Sequence, residues 1–387
     1  MQRWAAAVLV SGLLMAGERG EPGLRQEGGY WVQTDTRTIP IGVGALRIQA
    51  RGPVRVRGTA AKEDGCSLRL VRKVRAKNAG DAKRLLSQIS IRSGPGSVVL
   101  SCPERSPALT ELEVQVPALL RQLDIHTHSG DLAVSQIAGD VRVQTGAGAI
   151  EMEAIRGSVF ARTAGGNIRM GHIGGSANCV SGGGSIDVGR VGRESWFDTA
   201  GGEIRIGETG GPLHASTSGG NIHVGRALST VAARTAGGRI DVMEAQGVVV
   251  AGNSGGSIHV GAAVGVRLES TGGSIRLKGS SGALRAVSDV GSILAELISG
   301  LSLQDSLLST GAGDITVYIP SDMPLTIEAL NENRRDGRIV SEFIEVPVRY
   351  SSEDGRRAAR AEGTLNGGGP LLKLTSASGT IYLRRRR

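Results

Sequence analysis

The chain has 387 residues, 60 of them glycine against only 3 Phe, 3 Trp and 4 Tyr. Glycine costs a helix about 1 kcal/mol per position, so a helical protein is excluded; collagen is excluded because glycine does not recur every third residue. A hydrophobic content of 40% excludes a disordered polar tract, and the net charge of +9 is uneven, with 14 Lys/Arg against 4 Asp/Glu over 45–105.

The first 17 residues read as an export signal. Arg3 gives a short positive start, Ala5–Ala16 (AAAVLVSGLLMA) an apolar run of 12, and Ala16 and Gly17 small residues for cleavage. The run is shorter than the ~20 residues that span a bilayer, and no other segment is long and apolar enough to do so. An exported chain permits a disulfide. Cys66 opens one expected strand and Cys102 ends another, so a Cys66–Cys102 bridge is open to the chain, although sequence does not fix the pairing.

Residues 28–120 read as a β-rich N-terminal capping segment. Strands are expected near Thr38–Gln49, Val54–Arg57, Ser67–Lys77, Ile89–Arg92, Val98–Cys102 and Glu111–Pro117, with a turn at Ser93–Gly96 and one short helix within Asn78–Gln88. The positive balance of this segment suits peripheral contact with an anionic membrane or wall surface. Nucleic acid is set aside as a partner, because no basic stretch is interleaved with aromatics for base stacking.

Residues 121–320 form a repeat. Glycines two residues before an Ile or Leu stand at 130, 148, 166, 184, 202, 220, 238, 256, 273, 291 and 313, a spacing of 18 over most of the run. Two and four residues after each anchor come apolar columns, such as Ile150/Met152, Ile186/Val188 and Ile222/Val224, which is strand alternation with one face inward. A second strand contributes inward pairs such as Val141/Val143 and Val159/Ala161. A [Ser/Thr]-x-Gly-Gly turn closes many of the units, as in Thr163–Gly166. Two short strands cannot bury a face alone, but stacked units can. The expected fold is therefore all-β: a β-solenoid of 18-residue rungs, two strands each, about 11 rungs and roughly 50 Å long, with β-rich caps at both ends. Cys179 falls in the small inward column and reads as core.

Residues 321–387 read as a C-terminal β cap with a basic tail. Strands are expected at Leu325–Leu330, Ile344–Tyr350, Leu371–Thr375 and Thr380–Leu383, and polar loops at Asn331–Arg338 and Ser351–Gly369. Ser376–Ile381 (SASGTI) repeats the anchor motif and is expected to rejoin the sheet.

The outward positions carry the candidate site. Three residues after the anchor come Glu151, Arg169, Asp187, Arg205, His223, Asp241, His259 and Arg276, whose signs nearly alternate as a cross-strand ladder. Twelve after the anchor, Phe160 and Trp196 share an outward column where exposed aromatics would suit a glycan or protein partner, and His214 is a further outward-facing residue. Phe160, Arg169, Trp196, Arg205, His214, His223 and His259 are thus the expected binding residues. His223 and His259 lie two rungs apart, about 9–10 Å, too far to share a metal, and Asp124, His126 and His128 lack a fourth ligand. The turns read G-G-N-I or G-G-S-I and lack the aspartates of a calcium-binding roll. No phosphate loop is present. No cofactor, metal or catalytic residue is expected.

Leu112–Met152 (LEVQVPALLRQLDIHTHSGDLAVSQIAGDVRVQTGAGAIEM) and Leu371–Leu383 (LLKLTSASGTIYL) together resemble the DUF4097 family of bacterial envelope proteins, often called adhesins. The shared pattern is a strand ending in Val-Pro, a T-x-S-G-x-L-x-V unit, a G-D-V half-unit and a closing S-G-x-I. The resemblance covers roughly 30–383 and implies a β-solenoid, an envelope location in the periplasm or at the cell surface, and no catalytic residues. The expected function is a non-enzymatic exported protein presenting a solenoid face to an envelope polymer, glycan or protein. A regulator of envelope stress acting through a protein partner is the alternative. A polysaccharide-acting β-helix enzyme ranks last, because the outward carboxylates alternate with arginines that would hold them ionised.

Overall fold

A computed structural model describes residues 23–40, 44–59, 65–94, 97–101, 107–332, 338–353 and 356–386. The expected signal over 1–17 lies outside the described residues, as does Cys102.

The described chain is a β-solenoid of about 11 turns. Each rung places one strand in each of two facing sheets. Sheet 1 carries the strand after each anchor glycine, for example Ile150–Ile155, Ile168–Ile173, Ile186–Val191 and Ile204–Thr209. Sheet 2 carries the second strand, for example Val159–Thr163, Ala177–Ser181, Ser195–Thr199 and Leu213–Thr217. Successive strands pair in parallel at the 18-residue register, so Ile150, Ile168, Ile186, Ile204, Ile222 and Ile240 stack in one line. All six are wholly buried. Between the sheets lies one continuous core, and Cys179 Sγ on sheet 2 meets Met170 Sδ on sheet 1 at 3.7 Å within it.

Two devices hold the rungs together at the turn. The first is a hydroxyl ladder. Thr145, Thr163, Ser181, Thr199, Thr217 and Thr235 are buried, and each Oγ donates to the carbonyl of an anchor glycine fifteen residues earlier at 2.8–3.0 Å. Each also accepts from the N–H of its own anchor glycine at 2.9–3.3 Å. Buried backbone groups of the turn are thereby paired, as they must be away from water. The second device is close backbone approach: a Cβ on Gly166, Gly184 or Gly202 would lie 2.0–2.2 Å from the carbonyl oxygen of the preceding anchor.

Sheet 1 strands of the regular rungs also have a third inward column that alternation does not foretell. Ile137, Ile155, Ile173 and Val191, seven after the anchor, are buried behind two consecutive outward residues. The chain bends there, with Gln136 and Ala154 at φ 60° and 56°.

Both ends are interleaved with the body. Ala45–Ala50 and Val54–Thr59 form a rung that pairs inward with Gln122–Thr127 and Leu132–Ile137 and outward with Ser97–Ser101 and Leu109–Pro117. At the other end Leu371–Ser376 slots between Ser306–Ala312 and Leu325–Asn331. Thr380–Arg385 slots likewise between Ile315–Ile319 and Arg338–Ser341. The SASGTI motif thus rejoins the sheet as a full rung. Beyond these rungs pairing turns antiparallel: Gly65–Val74, Tyr30–Pro40 and Arg25–Glu27 close sheet 1, while Arg356–Leu365 and Val348–Glu353 close sheet 2.

Several expected boundaries shift. The expected Thr38–Gln49 strand is two, Tyr30–Pro40 and Ala45–Ala50. The expected loop over 351–369 contains the strand Arg356–Leu365, which survives a polar sequence because its inward residues, Ala359 and Ala361, are small and buried. The expected strand at Ile344–Tyr350 begins only at Val348, and Ile344 is exposed. The one helix among the described residues, Ala79–Leu86, is capped by Asn78, whose side chain accepts from the Asp81 N–H at 2.9 Å, and buries Ala82 and Leu86.

Candidate functional site

The expected binding residues divide between the two sheets. Arg169, Arg205, His223 and His259 lie on sheet 1. Phe160, Trp196 and His214 lie on sheet 2, so the single face expected from the sequence is two.

On sheet 1 the charged column is partly a ladder. Arg169 meets Glu151 at 3.8 Å and His223 Nδ1 meets Asp241 at 3.3 Å, each across adjacent strands. Arg205 instead turns to Glu203 of its own rung at 2.9 Å, leaving Asp187 to solvent. His259 stands between Arg239 and Arg276. Burial first, and then those two cations, push its pKa below the ordinary histidine value, against the pull of Asp241. A second ladder, six after the anchor, pairs Arg190 with Glu208 at 3.4 Å and Arg226 with Glu244 at 3.5 Å. The repeat contained its signal, with alternating signs at that position. These exposed pairs contribute at most about 1 kcal/mol each, so sheet 1 is a solvated, largely self-neutralised face.

On sheet 2 the twelfth position after the anchor carries aromatic rings. Arg142, Phe160, Asn178, Trp196 and His214 occupy five consecutive strands in strict register. The Arg142 guanidinium sits 4.9 Å over the Phe160 ring. Trp196 and His214 stack with ring centroids 3.9 Å apart and planes within 9°. Trp196 is nevertheless 49% exposed, so no loop of the described chain covers it. In contrast, Trp31 is partly buried and donates its Nε1–H to the Ala76 carbonyl at 3.1 Å, a structural role.

The basic N-terminal segment is only partly free. Arg47, Arg55, Arg69 and Arg84 pair with Asp124, Glu111, Glu113 and Asp81. Arg72 donates to the carbonyls of Leu86, the last residue of the helix, and Ile89 just beyond it. Asp124 is thus engaged by Arg47, and among the described residues no three His, Cys, Asp or Glu side chains are grouped to hold a metal ion. The arginine-rich end is anchored too. Arg384 pairs with Glu342 at 2.6 Å, Arg385 lies 4.8 Å over Phe343, and Arg386 donates to the Leu297 carbonyl at 2.8 Å.

Both described cysteines are buried free thiols. Burial pushes the Cys66 thiol up to about 12 and raises that of Cys179 still further, so neither is an activated nucleophile.

No family model matches the sequence, and no curated protein does. Solved structures similar to it include the following three. A putative cell adhesion protein from Clostridium sporogenes is 7% identical, covering 92% of this chain and 100% of its own, with a TM-score of 0.18. A putative adhesin from Bacteroides fragilis is 12% identical over 90% and 96%, with a TM-score of 0.21. A putative lipid binding protein from Parabacteroides distasonis is 15% identical over 74% and 97%, with a TM-score of 0.27. At these values they carry nothing about ligand or activity.

Proposed function

We propose that this protein is a non-catalytic, exported β-solenoid that binds a component of the cell envelope through the outward face of sheet 2. One observation carries the reading: the open column from Arg142 to His214, where ring surface stays in water although the same fold buries apolar side chains everywhere between its sheets. Cross-strand stacking accounts for the ring faces that His214 and Arg142 cover but not for the aromatic surface left in water, which is the kind that recognition employs. The signal-like start supports export to the periplasm or cell surface, and the resemblance to envelope proteins points the same way. A non-catalytic role is supported by the outward carboxylates of sheet 1, several of which lie against arginine or histidine. The remaining cations of the N-terminal segment, such as Lys73 and Lys77, suit a weak peripheral contact with an anionic surface.

The test is co-sedimentation of the purified mature protein with isolated wall polymer and with envelope membranes, wild type beside Trp196→Ala. The reading expects wild-type protein in the pellet and the variant in the supernatant. Wild type that pellets with neither fraction, and captures no envelope protein, overturns it.

A further inference from the structure

The sheet 2 column has a gap whose walls are already built. Arg142 lies on the strand before Phe160 and covers the ring face on that side. His214 lies on the strand after Trp196 and covers that ring's far face. The uncovered face of each ring therefore looks along the solenoid axis toward the strand between them, which presents Asn178. Asn178 is exposed and shorter than either ring, so the column is notched above it. Its side-chain amide makes no hydrogen bond to another described residue, leaving two donors and an acceptor for a guest. Val180, in the neighbouring outward column, flanks the notch between Arg162 and Asp198.

The width of the notch selects the guest. Two strand spacings separate Phe160 from Trp196, about 9.6 Å. A planar guest in contact with both rings needs roughly 7 Å, twice the ~3.5 Å contact distance, and would rattle. A saturated six-membered ring is thicker, because it is puckered and carries hydrogens on both faces. We propose that the Phe160–Asn178–Trp196 notch is a sugar-binding subsite that takes one pyranose unit edgewise. The C–H faces of the sugar lie against the two aromatic rings and its hydroxyl edge meets the Asn178 amide. This rests on sheet 2 being the binding face and adds the ligand class. Arg142 and His214 hold the two rings upright, so they are positioning residues.

The test uses the full mature protein in a Trp31→Phe background, so that Trp196 is the tryptophan whose fluorescence is followed, titrated with chitotetraose, cellotetraose and maltotetraose, and with adenosine as a flat-ringed comparison. The expected result is a saturable change with at least one tetrasaccharide and weaker binding of adenosine. Asn178→Phe fills the notch while keeping both rings, and should weaken tetrasaccharide binding by about tenfold or more. Asn178→Ala keeps the notch open and should weaken it less, which preserves the test if the phenylalanine variant does not fold. An Asn178→Phe protein that folds and binds like wild type overturns the proposal, as does adenosine binding as tightly as sugar. A wild type that pellets with envelope fractions yet responds to none of the three sugars overturns the subsite and leaves the binding face standing. A wild type that does neither, and captures no envelope protein, overturns both.

Discussion

Adjacent glycines in one turn should respond oppositely to the same methyl group. Gly219 and Gly220 end the Thr217–Gly220 turn. A Cβ on Gly219 comes no nearer than 3.9 Å to the carbonyl oxygen of Gly201. On Gly220 it would lie 1.9 Å from the carbonyl oxygen of Gly202 and 2.4 Å from its carbon. Reaching even the 3.0 Å floor seen for real contacts demands that the rungs part by about 1.1 Å there. That would stretch the adjoining Ile204 N–H to Asn221 carbonyl bond from 2.9 Å to roughly 4 Å, outside hydrogen-bonding range. It would also break the Gly220 N–H to Thr217 Oγ1 bond or the Thr217 Oγ1 to Gly202 carbonyl bond, now 3.2 and 3.0 Å. Two or three buried polar groups left unpaired cost about 1–3 kcal/mol each, so Gly220→Ala should destabilise by roughly 3–5 kcal/mol. Gly219→Ala should be neutral or slightly stabilising, by up to about 1 kcal/mol, through the unfolded chain. Urea unfolding followed by circular dichroism reads the difference. Because each rung contacts only its neighbours, trypsin should also find Arg226 or Arg234 in the Gly220→Ala protein first. Equal urea midpoints and equal trypsin resistance for the two variants would refute the argument that close backbone approach sets the rung spacing.

Thr199→Val keeps the shape of a buried residue but removes the hydroxyl that bridges Gly184 and Gly202; a loss of about 1–3 kcal/mol is expected, recovered largely by Thr199→Ser, with urea midpoints as the measure. Cys66, with its thiol pushed up to about 12, should be thiolate in only roughly one molecule in ten thousand at pH 8. Mass mapping after iodoacetamide should find Cys66 and Cys179 unlabelled in native protein and labelled in urea, and fast native labelling at either would contradict their burial. His259 has a folded-state pKa below the ordinary value, so the unfolded chain binds its proton more readily and its contribution opposes folding as pH falls through about 6.5. Its NMR titration midpoint should lie below that value, and His259→Gln should lose less stability between pH 7 and pH 5 than wild type. Truncation after Gly369 removes the rung made by Leu371–Ser376 and Thr380–Arg385. Protease should then digest 321–365 while the rungs up to Val290 survive; an uncut 321–365 would show that the outer strands do not depend on the inserted rung.

The solenoid was legible because its physics is periodic. An inward Ile or Val repeated every 18 residues fixes both the strand and its register, and Cys179 could be assigned to the core from its column alone. What failed were interruptions of period. Ile137, Ile155 and Ile173 escaped because two consecutive outward residues break the alternation before them. Arg356–Leu365 escaped because an outer hairpin needs only Ala359 and Ala361 beneath it. The Thr-x-Gly-Gly signature marked the turn, yet its chemistry, one hydroxyl serving two glycines of successive rungs, needed coordinates. The candidate site was half legible. Phe160, Trp196 and His214 fall in one column by counting, whereas the choice of Arg205 for Glu203 over Asp187 is a matter of rotamers that spacing does not determine. The interleaved ends were hinted at only by SASGTI, since nothing local tells a strand which earlier rungs it will part.

A ladder satisfies itself wherever its columns are regular, so the places to look for function are where a column is broken. Two asparagines make the contrast. Asn253 replaces the threonine of the hydroxyl ladder; its Nδ2 donates to the carbonyls of Gly238 and Gly256, and its Oδ1 is left buried without a partner. That interruption is internal, sealed from solvent, and can only cost stability. Asn178 breaks an outward column instead, between two rings whose far faces are already covered by Arg142 and His214. The same substitution of an amide into a regular stack thus gives a buried, incompletely paired core position in one case and a vacancy with prepared walls in the other. Burial alone decides which, because only the outward break can be filled from solution.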